Sequence, residues 1–226
     1  MSRRVLRALF FDMDGLLVDT ELPDFLSWQE TLAEYGLALP FELWLKGVGT
    51  YAPFRRFLAE LGVPESEHDR LRAEQRVRYL KRLESAEPLP GVRPLLEAAR
   101  AAGLTLGVVS TASRDWVERI LSHLGLTGTF RFSLSRNDVA NGKPEPDLYR
   151  LALERANVPP ESALALEDSA NGVLAAVRAG ITTLAVPNAI TQHHDLSQAH
   201  RRLSSLDELN DRLLAELGYL VPVLHR

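Results

Sequence analysis

The chain has 226 residues and a net charge of −4 at neutral pH, which leaves no broad basic field to hold nucleic acid or an anionic membrane. Cysteine is absent, which excludes disulfides, thiolate metal sites and a cysteine nucleophile, and no apolar segment approaches the roughly 18 residues of a transmembrane helix. Because 46% of the residues are hydrophobic, the chain can bury the core of one large domain with a smaller inserted one. Separately, we expect the protein to be cytoplasmic and monomeric.

The first predicted element is a short buried strand that ends in two acids. Leu9, Phe10 and Phe11 close a mostly apolar run, which is typical of a strand covered on both faces in a parallel sheet. Asp12 and Asp14 follow directly. At about 4 Å two carboxylates repel by roughly 4 kcal/mol at an effective dielectric of about 20, and a proton or a hard cation such as Mg2+ would relieve this. The alternative is a turn in which both acids face water.

Residues 20–86 predict helices and no strand. Apolar side chains recur there at three- and four-residue spacing in three stretches, and we expect these faces to form the core of a small helical bundle. The faces consist of Phe25, Trp28, Leu32 and Tyr35, then of Phe54, Phe57, Leu58 and Leu61, and finally of Leu71, Val77, Leu80 and Leu83.

The third of these helices, over about 65–84, is rich in basic residues. We favour a solvated face on which acids along the helix pair with them. The alternative is that one or two of the cations point at an anionic substrate. The basic residues are Arg70, Arg72, Arg76, Arg78, Lys81 and Arg82.

From residue 92 onward, predicted helices and strands alternate, as in a parallel sheet with right-handed crossovers. The first strand must then pair with strands that lie far along the chain. This makes 20–86 an inserted cap domain and leaves 1–19 and 87–226 as an α/β core domain. The predicted strands are 104–109, 130–134, 163–166 and 181–186, and the predicted helices are 92–102, 114–124, 147–157, 171–179 and 206–218.

Polar residues follow four of the predicted strands. Parallel strands present their carboxyl ends at one edge of a sheet, so these residues should converge. Oxygen ligands favour magnesium over zinc, and a phosphate can approach several acids only if the metal and a further cation offset their charge. Each residue alone has a plain alternative, such as a helix cap or a surface lysine. The converging residues are Asp12, Asp14, Ser110, Thr111, Lys143, Glu167 and Asp168.

Four motifs in this order resemble those of the haloacid dehalogenase superfamily, in its phosphatase and phosphomutase branch with a small helical cap. The resemblance spans about residues 5–190. It implies a Rossmann-like three-layer α/β core with a parallel sheet and an inserted small α-helical cap domain. The motifs are Asp12-Met13-Asp14-Gly15-Leu16-Leu17-Val18-Asp19-Thr20-Glu21, Ser110, Gly142-Lys143-Pro144 and Glu167-Asp168-Ser169.

The resemblance also implies roles for the two acids of the first motif. Asp12 would be the nucleophile, forming an aspartyl-phosphate, and a ligand of Mg2+. Asp14 would be the acid and base and would give its backbone carbonyl to the metal. Members that dehalogenate lack the second acid, so Asp14 argues against that reaction.

The other motifs are expected to bind the phosphoryl group and the metal. Ser110, with Thr111 beside it, would bind phosphate oxygens, and Lys143 would offset their charge. Asp168 would be a metal ligand, with Glu167 a second or water-mediated one.

The resemblance leaves a phosphatase and a β-phosphoglucomutase-type sugar phosphomutase as alternatives. The mutases carry a histidine shortly after the nucleophile, where this chain has Asp24, and an arginine in a cap loop, where it has Gly49 and Thr50. We therefore expect hydrolysis of a small phosphorylated metabolite such as a sugar phosphate, with Lys46 as a further substrate contact. A phospho-aspartate receiver acting as a binding module is an alternative from another class, although receivers lack a cap.

Overall fold

A computed structural model describes residues 4–48 and 53–220. Within these ranges the chain forms a six-stranded parallel sheet and a separate pair of short strands. The α/β architecture expected from the sequence is confirmed. The strands are β1 (Arg4–Val5), β2 (Ala8–Phe11), β3 (Thr105–Val109), β4 (Phe132–Leu134), β5 (Ala163–Glu167), β6 (Thr182–Ala185), β7 (Arg201–Arg202) and β8 (Tyr219–Leu220).

Helices connect the strands and cover both faces of the sheet. In the part of the chain that the structure describes, none of them is long and apolar enough to cross a membrane. The helices are α1 (Glu21–Ala33), α2 (Phe41–Leu45), α3 (Pro53–Glu60), α4 (Glu65–Leu83), α5 (Val92–Ala101), α6 (Arg114–His123), α7 (Asp147–Ala156), α8 (Ala170–Arg178) and α9 (Asp211–Glu216).

The strand that carries the two acids, β2, lies in the middle of the sheet. The strand order is β4-β3-β2-β5-β6-β7, and β1 pairs with β8 apart from it. Phe11 is level with Val108 of β3 and with Leu166 of β5. The first strand is therefore flanked by strands that come much later in the chain, as the sequence predicts.

Both faces of β2 are buried, which explains why the strand is apolar at every position. Leu9 and Phe11 join the cluster formed with α5 and α6, whereas Ala8 and Phe10 join the cluster formed with α7 and α8. Alternate residues of a strand point to opposite faces, so a strand between two helical layers needs apolar residues throughout. The result is a three-layer core of helices, sheet and helices.

Helices α1 to α4 share a separate apolar cluster. Trp28 is buried there against the rings of Phe54 and Phe57, at centroid distances of 6.0 and 4.9 Å. Two predicted members of the apolar faces, Tyr35 and Val77, are wrong because both are exposed. The division into cap and core domains at 20–86 stays a prediction. The buried side of α4 has three- and four-residue spacing and includes two polar residues; its members are His68, Leu71, Gln75, Tyr79 and Leu83.

The predicted helix over 206–218 is wrong in its bounds, because the α-helix covers only 211–216. Leu206–Glu208 form a short 3₁₀ turn, and α9 begins only at Asp211. The reason is Asn210, whose side chain accepts a hydrogen bond from the Leu213 N–H at 3.0 Å and so starts a new helix. Gly218 has a φ of +83°, which ends that helix and leads into β8.

Candidate active site

The residues that follow β2, β3 and β5 lie together at the carboxyl edge of the sheet. Because Phe11 is level with Leu166, Asp12, which follows β2, lies beside Glu167, which ends β5. The Asp12 N–H donates to the Leu166 carbonyl at 3.0 Å. Asp12, Ser110 and Glu167 are all buried, so none of them is a solvated turn residue.

Lys143 is the cation at the centre of these acids. Its Nζ donates to Asp12 Oδ1 at 2.5 Å, to Glu167 Oε1 at 2.5 Å and to the Val109 carbonyl at 2.7 Å. Burial lowers the pKa of this amine, but the two carboxylates outweigh burial and raise it, so Lys143 is charged. Burial raises the pKa of Asp12, and Lys143 opposes that rise. The alternative of a surface lysine is wrong, because Lys143 is only 8% exposed.

Glu167 is fully buried and held in place by its neighbours. Its Oε1 also accepts a hydrogen bond from the Tyr149 hydroxyl at 2.5 Å. Gly172 lies so close that a Cβ built there would stand 1.7 Å from Oε2, so this position requires glycine. Oε2 itself has no hydrogen-bond partner in the described ranges. Burial raises the pKa of Glu167 to about 7, although Lys143 opposes it.

Three buried acids at this edge are placed to hold a cation. Asp12, Glu167 and Asp168 each offer an oxygen, and these atoms all lie within 4.8 Å of one another. Asn188 orients Asp168, since its Nδ2 donates to Asp168 Oδ2 at 2.8 Å and to the Gly15 carbonyl at 3.1 Å. Burial, followed by the charge of Asp12, raises the pKa of Asp168 well above its ordinary value. An all-oxygen donor set, mutual repulsion and the unsatisfied Glu167 Oε2 fit a hard divalent cation such as Mg2+.

Asp14 lies beside this trio and is held by a side chain from α6. The indole Nε1–H of Trp116 donates to Asp14 Oδ1 at 3.0 Å. Burial raises the pKa of Asp14 to about 6, and the hydrogen bond from Trp116 opposes part of that rise. A carboxyl group with a pKa near the working pH can both give and accept a proton.

Two cavities open onto these residues. A small one of about 40 Å³ is lined by Asp12, Ser110 and Asp168, among others. A cleft of about 600 Å³ lies between the sheet edge and helices α1 and α4, which is the size of a small-molecule site. Asp14 and Lys143 line both, so a molecule bound in the cleft reaches the buried acids.

The two hydroxyl residues after β3 have different surroundings. Ser110 is buried, and its Oγ accepts a hydrogen bond from the Ala112 N–H at 3.0 Å, which leaves the hydroxyl hydrogen free to donate. Thr111 lines both cavities. Phosphate binding by either residue stays a prediction.

The chain is similar to known proteins. Residues 9–186 match the family model described as haloacid dehalogenase-like hydrolase. The chain belongs to this family. It is 39% identical over 214 residues to YhcW of Bacillus subtilis, covering 94% of this chain and 97% of that protein. It is 37% identical over 181 residues to a Thermotoga maritima protein named phosphorylated carbohydrates phosphatase, covering 78% and 82%.

A solved relative extends the likeness to three dimensions. The crystal structure of CbbY from Rhodobacter sphaeroides in complex with phosphate superposes with a TM-score of 0.75 at 31% identity. The match covers 96% of this chain and 98% of that chain.

In this hydrolase the arginines of α4 divide between two faces. Arg70, Arg78 and Arg82 pair with acids on the surface of α1 and α4. Arg72 and Arg76 line the cleft instead. The favoured interpretation, a solvated face, holds for the first three, and the substrate-facing alternative fits the other two.

Asp24, at the position where the mutases carry histidine, lines the cleft and orients its neighbours. Its Oδ1 accepts a hydrogen bond from Gln75 Nε2 at 2.5 Å and lies 3.7 Å from Arg72 Nη1. Burial raises the pKa of Asp24 to about 6, and Arg72 opposes the rise. Asp24 therefore acts in this structure as a partner of side chains on α4.

Lys46 is not brought to the site in this structure. Its side chain is exposed after α2, and it lines neither of the two cavities described above. Val48, two residues further, does line the smaller cavity. Gly49 and Thr50 lie outside the described residues. A substrate contact by Lys46 stays a prediction.

Four residues of the site were missed by the sequence analysis. Tyr149 and Trp116 occupy ordinary aromatic positions in helices, which carry no signal of a polar role. Asn188 could have been found, because it comes shortly after β6 and strand ends meet at this edge. Glu21 ends the first motif but was given no role there; it lines both cavities, and burial followed by the charges of neighbouring acids raises its pKa well above the ordinary value.

Proposed function

We propose that the chain is a Mg2+-dependent phosphatase that hydrolyses a small phosphorylated metabolite, with sugar phosphates as the favoured class, through an aspartyl-phosphate on Asp12. The observation that carries the proposal is the buried group in which Lys143 bridges Asp12 and Glu167 while Asp168 stands within metal-binding distance of both. Buried charges are costly, so apolar residues at these positions would serve folding better. The group is therefore better explained by a function than by a role in folding.

The first half of the reaction would form the covalent intermediate. The carboxylate of Asp12 attacks phosphorus as the bond from phosphorus to the ester oxygen breaks. Asp14 gives its proton to the departing oxygen, and the free alcohol leaves. Lys143 and donors at Ser110 and Thr111 bind the phosphoryl oxygens as their charge moves.

The second half would restore the enzyme. Asp14, now a carboxylate, removes a proton from water, and the water oxygen attacks the phosphorus of the aspartyl-phosphate. The bond to Asp12 breaks, and inorganic phosphate is released. Held by Asp12, Asp168, Glu167 and the Asp14 carbonyl, Mg2+ would supply positive charge that lets a phosphate dianion approach these acids.

The substrate class is supported by the relatives and by the cleft. The Thermotoga maritima relative is named for phosphorylated carbohydrates, and the CbbY structure contains phosphate. The cleft carries both acids and arginines, among them Glu21, Asp24 and Arg72, which suit the hydroxyls and the charge of a sugar phosphate. A cytoplasmic location and a monomeric state stay predictions from the sequence.

Hydrolysis is better supported than phosphoryl transfer between sugar positions. Asp24 replaces the histidine of the mutases and is engaged with Gln75 and Arg72. The receiver alternative receives no support, because residues 9–186 match a family of hydrolases.

A phosphate-release screen tests the proposal. Purified protein should release phosphate from at least one of a panel of phosphorylated sugars, nucleotides and phosphoglycolate, with Mg2+ present and not with EDTA. A parallel assay should find no interconversion of hexose 1-phosphates and 6-phosphates. Release that persists in EDTA would contradict the metal role, and no release from any ester would contradict the phosphatase assignment.

A further inference from the structure

We infer that Trp116 is a positioning residue that couples the cap helix α4 to the acid and base Asp14. The inference rests on the proposed function, in which Asp14 gives a proton to the leaving oxygen. Its basis is a chain of contacts that runs from Asp14 through one indole ring to two side chains of α4.

The first contact fixes the carboxyl group. Trp116 Nε1–H donates to Asp14 Oδ1 at 3.0 Å. The residues stand 102 positions apart in the chain, so α6 must pack correctly on the sheet for the bond to form. With Oδ1 occupied by the indole N–H, rotation of the carboxyl group is restricted and Oδ2 is left to carry the proton to the leaving oxygen.

The second contact holds the indole ring from the cap side. The ring of Tyr79 stacks on Trp116 with centroids 5.7 Å apart and an interplanar angle of 27°. The Arg76 guanidinium lies 4.3 Å from the Trp116 centroid and 5.2 Å from that of Tyr79. Aromatic stacking and cation–π attraction both favour this placement of the indole ring. A shift of α4 would therefore release the indole and with it Asp14.

A purely packing role does not account for this tryptophan. Trp44 offers the comparison within the same chain: it is 2% exposed, lies among Phe25 and Phe57, and its Nε1 finds no partner among the described residues. Trp116 is only partly buried, lines the cleft, and directs its N–H at the carboxyl group that must transfer a proton.

The test compares two esters whose leaving groups differ in their need for a proton. A sugar phosphate that the screen identifies releases an alcohol and needs a general acid, whereas p-nitrophenyl phosphate releases a stable phenolate and hardly needs one. For Trp116→Phe, kcat/KM should fall about tenfold on the sugar phosphate and less than about twofold on the aryl ester, which is a part of the roughly 10²–10⁴-fold that general acid catalysis supplies. The parameter kcat/KM is chosen because it reports the step in which the ester bond breaks.

The ratio of the two rates guards against a folding artefact. A partly misfolded variant would lose both activities equally, so misfolding alone leaves the ratio unchanged. Trp44→Phe removes the same indole without a hydrogen bond and should leave the ratio unchanged. Tyr79→Leu should shift the ratio in the same direction as Trp116→Phe, because it frees the indole.

Three outcomes separate the claims. An equal loss on both esters, or no loss, in Trp116→Phe would overturn the inference while the phosphatase assignment stands. An unchanged ratio in Tyr79→Leu would overturn the coupling to α4. Wild-type protein that hydrolyses neither ester would instead remove the proposed function on which the inference rests.

Discussion

The cleft has two walls that are built differently. One is the carboxyl edge of the sheet, the sheet wall, and the other is formed by helices α1 and α4, the helical wall. The sheet edge supplies buried charged groups that are joined by hydrogen bonds, such as Asp12, Lys143 and Glu167. The helical wall supplies Arg72 and Arg76, which are partly exposed and are held by cation–π contacts with aromatic rings. The difference indicates that the reaction centre is set by the backbone of the sheet, whereas substrate contacts depend on side chains that can be exchanged without disturbing it.

Asp12→Asn gives the largest expected effect on the sheet wall. The variant should fold normally and release no phosphate above background, because the amide is a poor nucleophile and a weaker metal ligand. The measurement is phosphate release with Mg2+ present. Asp19→Asn is the matched control, since Asp19 Oδ1 accepts the Leu22 N–H at 3.1 Å and asparagine can replace it in that role. Full activity in Asp12→Asn would remove Asp12 from the mechanism.

Lys143→Met should damage both activity and stability. It leaves Asp12 and Glu167 buried without a counter-charge, so the free energy of unfolding in urea should fall by about 3–5 kcal/mol in the absence of metal. Lys81→Met alters an exposed lysine and should change the free energy of unfolding by less than about 0.5 kcal/mol. Equal stabilities of the two variants would show that the buried bridge does not hold the site together.

Arg72→Met probes the helical wall. We expect KM for the identified substrate to rise about tenfold with kcat nearly unchanged, because one charged contact in the cleft is lost. The control is Arg70→Met, on the other face of α4, where Arg70 pairs with Glu67 and Glu74. If both variants behave alike, the division of the arginines into two faces has no functional meaning.

The pH dependence of metal binding gives a smaller effect. Burial raises the pKa of Asp14 to about 6 and that of Glu167 to about 7, so the folded chain keeps protons that the unfolded chain loses from about pH 4 upward. These groups therefore stabilise the metal-free protein below their ordinary pKa values, and this contribution is lost as the pH rises through 6 to 7.

Mg2+ must displace the proton of Glu167, so Mg2+ should raise the melting temperature more at about pH 8 than at about pH 5. Thermal unfolding with Mg2+ and with EDTA at both pH values measures this. An equal rise in melting temperature at the two pH values would contradict the assignment of the buried acids as ligands of Mg2+.

The sheet wall could be predicted from the sequence because its residues obey a positional rule. Parallel strands end at one edge, so Asp12, Ser110 and Glu167 converge whatever helices lie between them. Lys143 follows a loop after β4, and both the strand rule and the motif resemblance placed it at this edge.

The helical wall could not be predicted in the same way. An amphipathic period does not distinguish a cation that faces the cleft from one that faces solvent, as Arg72 and Arg70 show. Gln75 is buried although it is polar, and Val77 is exposed although it is apolar. The placements of Gln75 and Arg72 follow from Asp24 on α1, which lies far from α4 in the sequence.

The central claim is that Asp12 carries the phosphoryl group during turnover, and acid-quenched label transfer tests it most directly. The protein is mixed with Mg2+ and a substrate that carries radioactive phosphate, and the label bound to protein is counted while substrate is still present. We predict label that hydroxylamine releases, as for an acyl phosphate, in the wild-type and Asp19→Asn proteins and none in Asp12→Asn. Substrate consumption with no protein-bound label at any quench time, or label in Asp12→Asn, would contradict the account.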